Sequence, residues 1–193
     1  MNQTHLELCS SAEWADAVER WIIPWALDSV DLGDDALEIG PGPGLTTDVL
    51  RRGVGRLTAV EVDPDLAQAL ARRLAGTNVD VRCADATATG LPGDRFSSAV
   101  CLTMLHHVPT IERQDALFGE VLRLLRPGGV FAGQDSLASD ELRALHIDDT
   151  YVPVDPATLA GRLGDAGFAD VVVDTNEYGV RFRGRKRSAE RGG

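Results

Sequence analysis

Short apolar runs alternate with longer amphipathic stretches along most of the chain. The runs that predict buried strands cover residues 36–39, 56–62, 79–83, 96–102 and 130–132. The intervening stretches with helical periodicity cover residues 45–52, 64–76 and 111–125. Strands that alternate with helices in this way predict βαβ units and a mainly parallel sheet.

The N-terminal segment is predicted to be one helix. Ser11 can cap it, and Pro24 is expected to end or kink it near Ile23. Helical spacing places four apolar residues on one face: Trp14, Val18, Trp21 and Trp25. That face fits a helix packed on the main body, or a lid over a ligand pocket.

The C-terminal part predicts a different arrangement from the central repeat. Residues 136–155 read as irregular, and residues 156–167 as a helix. Residues 169–175 and 180–185 alternate apolar and polar side chains, which indicates a hairpin of two edge strands. Together the pattern predicts an α/β, Rossmann-like single domain: a seven-stranded, mainly parallel sheet with an antiparallel last strand and helices on both faces.

Charge and composition narrow the class of protein. The 193 residues are 44% hydrophobic and 25% charged, an ordinary globular balance. The net charge is −11, and residues 1–180 hold 13 basic and 29 acidic residues, a net of −16. So acidic a body argues against nucleic acid as a partner. The basic residues after position 180, from Arg181 to Arg191, read as a solvated tail.

The expected location is the cytoplasm. The N-terminal residues have neither the basic nor the apolar region of a signal peptide, and no apolar stretch reaches membrane-spanning length. The spacing of the three cysteines matches no metal motif, and Cys83 and Cys101 read as buried apolar residues.

A glycine-rich turn follows the first predicted strand, in the sequence Glu38-Ile39-Gly40-Pro41-Gly42-Pro43-Gly44. Such a turn lets a ligand approach the backbone at the carboxyl ends of parallel strands. The spacing departs from the G-x-G-x-x-G of dinucleotide folds, which opposes a dehydrogenase. A carboxylate at Glu38 suits a ligand with an amino group or positive charge.

Two further acidic residues end neighbouring strands. Glu61 lies 21 residues after Gly40, where a carboxylate can accept hydrogen bonds from both ribose hydroxyls. Asp85 follows the third strand and can accept from an exocyclic amine, which favours adenine. These positions predict a ligand that contains a nucleoside.

The ordered motifs resemble the class I S-adenosylmethionine-dependent methyltransferases of the small-molecule type. They are Glu-x-Gly-x-Gly-x-Gly, Glu61, Asp85-Ala86, FSSAVCLTMLHHV and LLRPGGVF. The resemblance implies S-adenosylmethionine as cofactor, S-adenosylhomocysteine as product, and an N-terminal helical cap (1–32), a cofactor-binding core (33–135) and a substrate-side segment with the terminal hairpin (136–193). The cofactor site that it implies comprises Glu38, Gly40, Pro41, Gly42, Gly44, Glu61, Val62, Asp85, Ala86, Leu102 and Thr103.

Candidate catalytic residues follow the fourth and fifth strands. His106 and His107 could take a proton from an acceptor, and Asp135 could orient it, although each could equally be structural. A substrate segment around His146, Asp148, Asp149 and Tyr151 hints at a metal, but the sequence as a whole predicts none.

The expected function is methyl transfer to an O, N or C atom of a small-molecule acceptor. The chain also resembles the ribosomal RNA adenine dimethyltransferases, which carry an Asn-x-Pro-aromatic motif after the fourth strand, whereas this chain has Leu102-Thr103-Met104-Leu105 there. A non-catalytic nucleoside-binding protein is a third alternative. The final hairpin leaves an edge that could pair in a homodimer.

Overall fold

Seven strands form one sheet in the computed structural model, which describes residues 2–177 and 179–188. The strands are β1 (Asp35–Ile39), β2 (Arg56–Glu61), β3 (Val79–Cys83), β4 (Phe96–Leu102), β5 (Leu125–Ser136), β6 (Ala169–Thr175) and β7 (Gly179–Arg185). Their order is β3-β2-β1-β4-β5-β7-β6; strands β1 to β5 pair in parallel, and β7 pairs antiparallel with both β5 and β6. The predicted fold class is confirmed.

Helices connect and flank these strands. They are α1 (Gln3–Cys9), α2 (Ala12–Ala17), α3 (Ile23–Ala26), α4 (Leu45–Leu50), α5 (Pro64–Arg73), α6 (Ile111–Leu124), α7 (Asp140–Leu145) and α8 (Pro156–Asp165). A π-helical turn (Val18–Ile22) joins α2 to α3, and a 3₁₀ turn (Leu105–His107) follows β4. Within the described residues, no helix combines the length and apolar character that crossing a membrane requires.

The fifth strand differs from its prediction. The helix α6 ends at Leu124 and β5 begins at Leu125, so the Pro127-Gly128-Gly129 segment lies inside a twelve-residue strand. The predicted three-residue strand at 130–132 is therefore too short. Pairing explains the length, because β4 pairs with one edge of β5 and β7 with the other.

The predicted pair of edge strands is wrong for β7, which lies between β5 and β6. Val180 and Phe182 of β7 are buried, and Arg181 donates to the carbonyl of Trp25 at 2.8 Å and pairs with Asp174. Three of the six basic residues of the predicted tail, Arg181, Arg183 and Arg185, thus lie in a strand of the sheet, while Arg191 lies outside the described residues. Only β6 keeps an open edge on this side among the described strands.

The N-terminal helix is broken by its own sequence. Ser11 caps α2 as predicted, accepting from the Trp14 amide at 3.0 Å. A π-helical turn then precedes Pro24, which sits in the first turn of α3, where a missing N–H costs little. This irregular turn rotates the apolar stripe, so Val18 is buried while Trp21 is 71% exposed. The expected single face therefore does not include Trp21, and α1 was not predicted.

The core lies on both faces of the central strands. Every residue of β1 and β4 is buried, as parallel strands covered by helices should be. Cys101, on β4, is buried as predicted. Cys83 is exposed, contrary to prediction, because it ends the edge strand β3.

Candidate functional site

A cavity of about 460 Å³ opens at the carboxyl ends of β1, β2 and β3. The predicted cofactor residues that line it are Gly40, Gly42, Glu61, Val62, Asp85 and Ala86. One predicted catalytic residue, His107, also lines it. Three successive strand tips thus meet at one concave surface, as the parallel topology requires.

The glycine-rich turn needs its glycines for backbone conformation. Gly40, Gly42 and Gly44 have φ of +66°, +53° and +89°, a region that glycine adopts without a steric penalty. The Gly40 amide donates to the Val60 carbonyl at 2.9 Å, which holds the turn against the end of β2. A side chain at Gly40 would also crowd Met104.

Gly44 has a structural position rather than a place on the cavity wall. It caps α4 in the left-handed conformation, and a Cβ there would collide with Leu70 Cδ1 of α5. The third glycine of the motif therefore allows α4 and α5 to approach each other.

Glu61 connects the end of β2 to the glycine turn. Its side chain is 6% exposed and lines the cavity. The Oε2 atom accepts from the Gly42 amide at 2.9 Å, and Oε1 accepts from the Asp63 amide at 3.0 Å. Two backbone donors hold the carboxylate at the cavity wall, with its remaining lone pairs available to further donors.

Glu38 is a buried carboxyl group beneath the same turn. It accepts a hydrogen bond from the Thr46 hydroxyl and does not line the cavity. Burial raises the pKa of Glu38 to about 7, the Thr46 and Thr47 hydroxyls oppose the shift, and the Glu61 carboxylate adds to it. This carboxyl therefore changes charge near neutral pH.

Asp85 lies at the open side of the cavity. The Thr87 amide and hydroxyl both donate to its Oδ1 at 2.8 Å, and Arg113 of α6 pairs with its Oδ2. The hydrogen bond from the Thr87 amide is the main cause that lowers the pKa of Asp85, and the charge of Arg113 adds to it. Asp85 is therefore ionised at neutral pH.

A smaller recess of about 50 Å³ lies on the other side of the glycine turn. It is lined by three predicted cofactor residues, Pro41, Leu102 and Thr103, and by Trp14 of α2. Thr103 has a φ of +51°, an uncommon conformation for a residue with a side chain, and its amide donates to the Gln134 carbonyl at 2.8 Å. Met104 and His107 border both spaces, so the recess adjoins the main cavity.

The three candidate catalytic residues separate into two environments. His106 and Asp135 are buried and line neither space; His106 Nδ1 lies 2.6 Å from Asp135 Oδ1, and its amide donates to Oδ2 at 3.2 Å. His107 is half-buried at the cavity wall. Burial lowers the pKa of His107 to about 3, with the neighbouring imidazoles contributing. His107 is therefore neutral at physiological pH.

Several lining residues were not predicted. They include Leu66, Met104, Val108 and Arg113. Met104 and Val108 belong to the segment after β4 that carried the resemblance, so their position was a usable signal. Nothing in the spacing of Leu66 or Arg113 indicates the cavity, because each reaches it from a helix through tertiary packing.

The fold and the cavity define a class of protein: an open α/β sheet with a cavity of small-molecule size at its strand tips. A family model described as "Methyltransferase domain" matches residues 37–133, just over half of the chain. The chain belongs to this family, and the resemblance to class I S-adenosylmethionine-dependent methyltransferases is confirmed.

Relatives and a solved structure agree with this class. Over 77 residues the chain is 39% identical to a probable ribosomal RNA small subunit methyltransferase A of Thermococcus onnurineus, covering 40% of this chain and 27% of the relative. It is 32% identical over 101 residues to a ubiquinone biosynthesis O-methyltransferase of Xanthomonas euvesicatoria, covering 50% and 41%. The N-methyltransferase NodS of Bradyrhizobium japonicum, solved with S-adenosylhomocysteine, superposes with a TM-score of 0.69 at 18% identity, covering 96% and 93%. The chain thus spans less than half the length of these two curated relatives.

Proposed function

We propose that this protein transfers a methyl group from S-adenosylmethionine to an O, N or C atom of a small-molecule acceptor. The observation that carries the proposal is the position of Glu61: a buried carboxylate anchored to the glycine turn and facing the cavity. Such a carboxylate is the group expected for ribose hydroxyls at the end of a second parallel strand.

The lining residues fit S-adenosylmethionine from one end to the other. A cavity of about 460 Å³ falls in the range of small-molecule sites. Glu61 would hold the ribose, and the ionised Asp85 would accept from the adenine amine beside Ala86 and Leu66. Gly40 and Gly42 would leave room for the methionine part, with Pro41, Leu102 and Thr103 at the adjoining recess.

The residues around the cavity act mainly by positioning. The bound cofactor supplies an activated methyl group on a sulfonium, so the protein has to align the acceptor and exclude water. Met104 and His107 stand between the two spaces and would contact an acceptor that enters there. An imidazole with a pKa of about 3 is a weak base at neutral pH. His107 therefore positions the acceptor, and the buried His106 and Asp135 hold the turn that carries it.

A second candidate function is methylation of RNA, which the similarity to the Thermococcus relative supports over 40% of the chain. The net charge of residues 1–180, −16, opposes it, because an acidic surface repels the phosphate backbone and much of the affinity for RNA comes from Lys and Arg side chains that neutralise phosphates. Binding to structured RNA that weakens steeply with salt would favour this candidate over the small-molecule acceptor.

Calorimetry with S-adenosylmethionine and S-adenosylhomocysteine tests the cofactor site. Glu61→Ala should lower the affinity by about 10- to 100-fold, since it removes hydrogen bonds to a charged group. Asp85→Ala should lower it less because Asp85 is partly exposed to water. The matched control is Asp80→Ala, which removes an exposed β3 carboxylate that does not line the cavity and should change nothing.

Two outcomes would count against the proposal. Undiminished affinity in both Glu61→Ala and Asp85→Ala would remove the cofactor site. Tight cofactor binding without any formation of S-adenosylhomocysteine, across amine, hydroxyl, phenol and carbon-acid acceptors, would instead favour the non-catalytic nucleoside-binding alternative.

A further inference from the structure

All four histidines of the chain meet in one buried cluster. They are His5, His106, His107 and His146. One ring nitrogen from each lies within 4.8 Å of the others, and the ring centroids are separated by 4.3 to 6.2 Å. The residues come from α1, the 3₁₀ turn after β4 and the end of α7, so only the tertiary fold brings them together.

Two of the imidazoles have their ring orientation and tautomer set by an acceptor. His106 Nδ1 lies 2.6 Å from the Asp135 carboxylate, and His146 Nδ1 lies 2.6 Å from the Leu142 carbonyl. Because a carboxylate and a carbonyl only accept, each Nδ1 carries the proton and each Nε2 presents a lone pair. A histidine whose far nitrogen donates to such a group is the usual arrangement of a metal ligand.

One ring nitrogen of each histidine is buried without a hydrogen-bond partner among the described residues. These atoms are His5 Nδ1, His106 Nε2, His107 Nε2 and His146 Nε2. A buried polar atom without a partner costs about 1–3 kcal/mol, so four in one place call for a shared partner.

We propose that these four imidazoles bind one divalent transition-metal ion of the zinc class. Imidazole nitrogens suit such ions, and four of them complete a tetrahedral shell. Zn–N bonds of about 2.0–2.1 Å place tetrahedral nitrogens about 3.3 Å apart, so the rings close on the ion by little more than about 1 Å. This inference departs from the sequence-based expectation that no metal is bound.

A shell of four protein ligands is typical of a structural metal. The ion would tie α1 and α7 to the turn that carries His107, beside the acceptor side of the cavity. His107 lines the cavity, as do Asp149 and Thr150 from the segment after α7. The metal would therefore organise one wall of the proposed acceptor site. Metal binding itself does not depend on which acceptor the protein uses.

The test is direct metal binding by the full chain without a histidine tag. After removal of metals with a chelator, the protein is titrated with Zn²⁺ and with Co²⁺, and bound metal is measured by mass spectrometry. We expect one ion per chain, the visible absorption of tetrahedral Co²⁺, and a higher Tm with Zn²⁺. The metal titration contains neither cofactor nor acceptor. Its result can therefore be interpreted even if the cofactor-binding experiment fails.

The variants are chosen to separate ligation from folding. His5→Gln changes α1, outside the sheet, and should abolish tight binding while the circular dichroism spectrum is kept; His146→Gln gives the same test from α7. Asp135→Asn should weaken affinity by about 10- to 100-fold, because it removes the partner that orients His106. Tyr151→Phe, whose ring stacks on His146 at 4.6 Å, is the control and should bind as the wild type does.

Wild-type protein that takes up less than one equivalent of either metal would overturn the proposal. Folded His5→Gln and His146→Gln variants that bind with wild-type affinity and an unchanged Co²⁺ spectrum would do the same.

Discussion

The proposed cofactor cavity and the histidine cluster lie next to each other but satisfy their polar groups differently. In the cavity, the two predicted carboxylates each have a partner close by along the chain: Asp63 for Glu61 and Thr87 for Asp85. In the cluster, four ring nitrogens from distant segments point inward with no partner among the described residues. The cavity has a mainly apolar lining, holds its carboxylates on existing hydrogen bonds and is open to a ligand, whereas the cluster is largely buried and incomplete in its own hydrogen bonding.

The two sites are held in place in different ways. The strand-tip site depends on backbone conformation, on local hydrogen bonds to Glu61 and Asp85, and on hydrogen bonds between the glycine turn and the adjacent end of β2, so the pairing of the parallel strands holds it in place. A site assembled from α1, the turn after β4 and α7 depends on how those segments dock, and a bound ion would supply the missing interaction.

The largest loss of stability is expected on substitution of Asp135, which holds His106 of the cluster in place. Asp135→Ala should lower the free energy of unfolding by about 3–5 kcal/mol, since it leaves His106 Nδ1 and two backbone amides buried without their acceptor. Chemical denaturation in the presence of a chelator measures this without a metal contribution. Asp85→Ala, at the exposed rim, should cost less than about 1 kcal/mol. Equal costs for the two variants would contradict the contrast between the sites.

Adding a single methyl group to the glycine turn should lower the stability of the protein. Gly44→Ala should destabilise the protein by about 2–4 kcal/mol, because it combines a φ of +89° with a collision against Leu70. Gly90→Ala is the matched control, with a φ of +70° and open space around the new methyl, and should cost about 1 kcal/mol. Thermal and denaturant unfolding of both variants would show whether packing of α4 on α5, beyond backbone strain, requires this glycine.

Stability should depend on pH through Glu38. Its pKa is about 7 in the folded protein against 4.5 as the ordinary value, so the folded state binds more protons between these values. Stability from this group is therefore full below pH 4.5 and is lost as pH rises through 7. Between pH 5.5 and 7.5 the wild type should lose about 2 kcal/mol relative to Glu38→Gln. Parallel pH curves for the two proteins would show that Glu38 titrates normally.

The smallest change in stability is expected on substitution of Arg113, at the rim of the cavity. Arg113→Gln removes an ion pair to Asp85 in which both side chains are nearly half exposed. Such pairs contribute little, so the free energy of unfolding should change by less than about 1 kcal/mol, with an unchanged denaturant slope. A larger loss would mean that the rim, like the cluster, depends on long-range packing.

Much of the fold and of the proposed cofactor site could be predicted from the sequence. Strand β4 and strand β3 have the predicted bounds, and Glu61 and Asp85 lie at one cavity as expected. Both depend on local signals, because strand periodicity and the carboxyl ends of parallel strands follow from the order of residues along the chain.

The tertiary structure alone decided the length of β5, the interior place of β7 and the meeting of the four histidines. Strand β5 is long because two neighbours pair with it. His5 is separated from His106 by about a hundred residues, and no spacing motif links them. Contacts of this kind depend on how finished elements pack, which is a property of the whole chain and is absent from any short stretch of it.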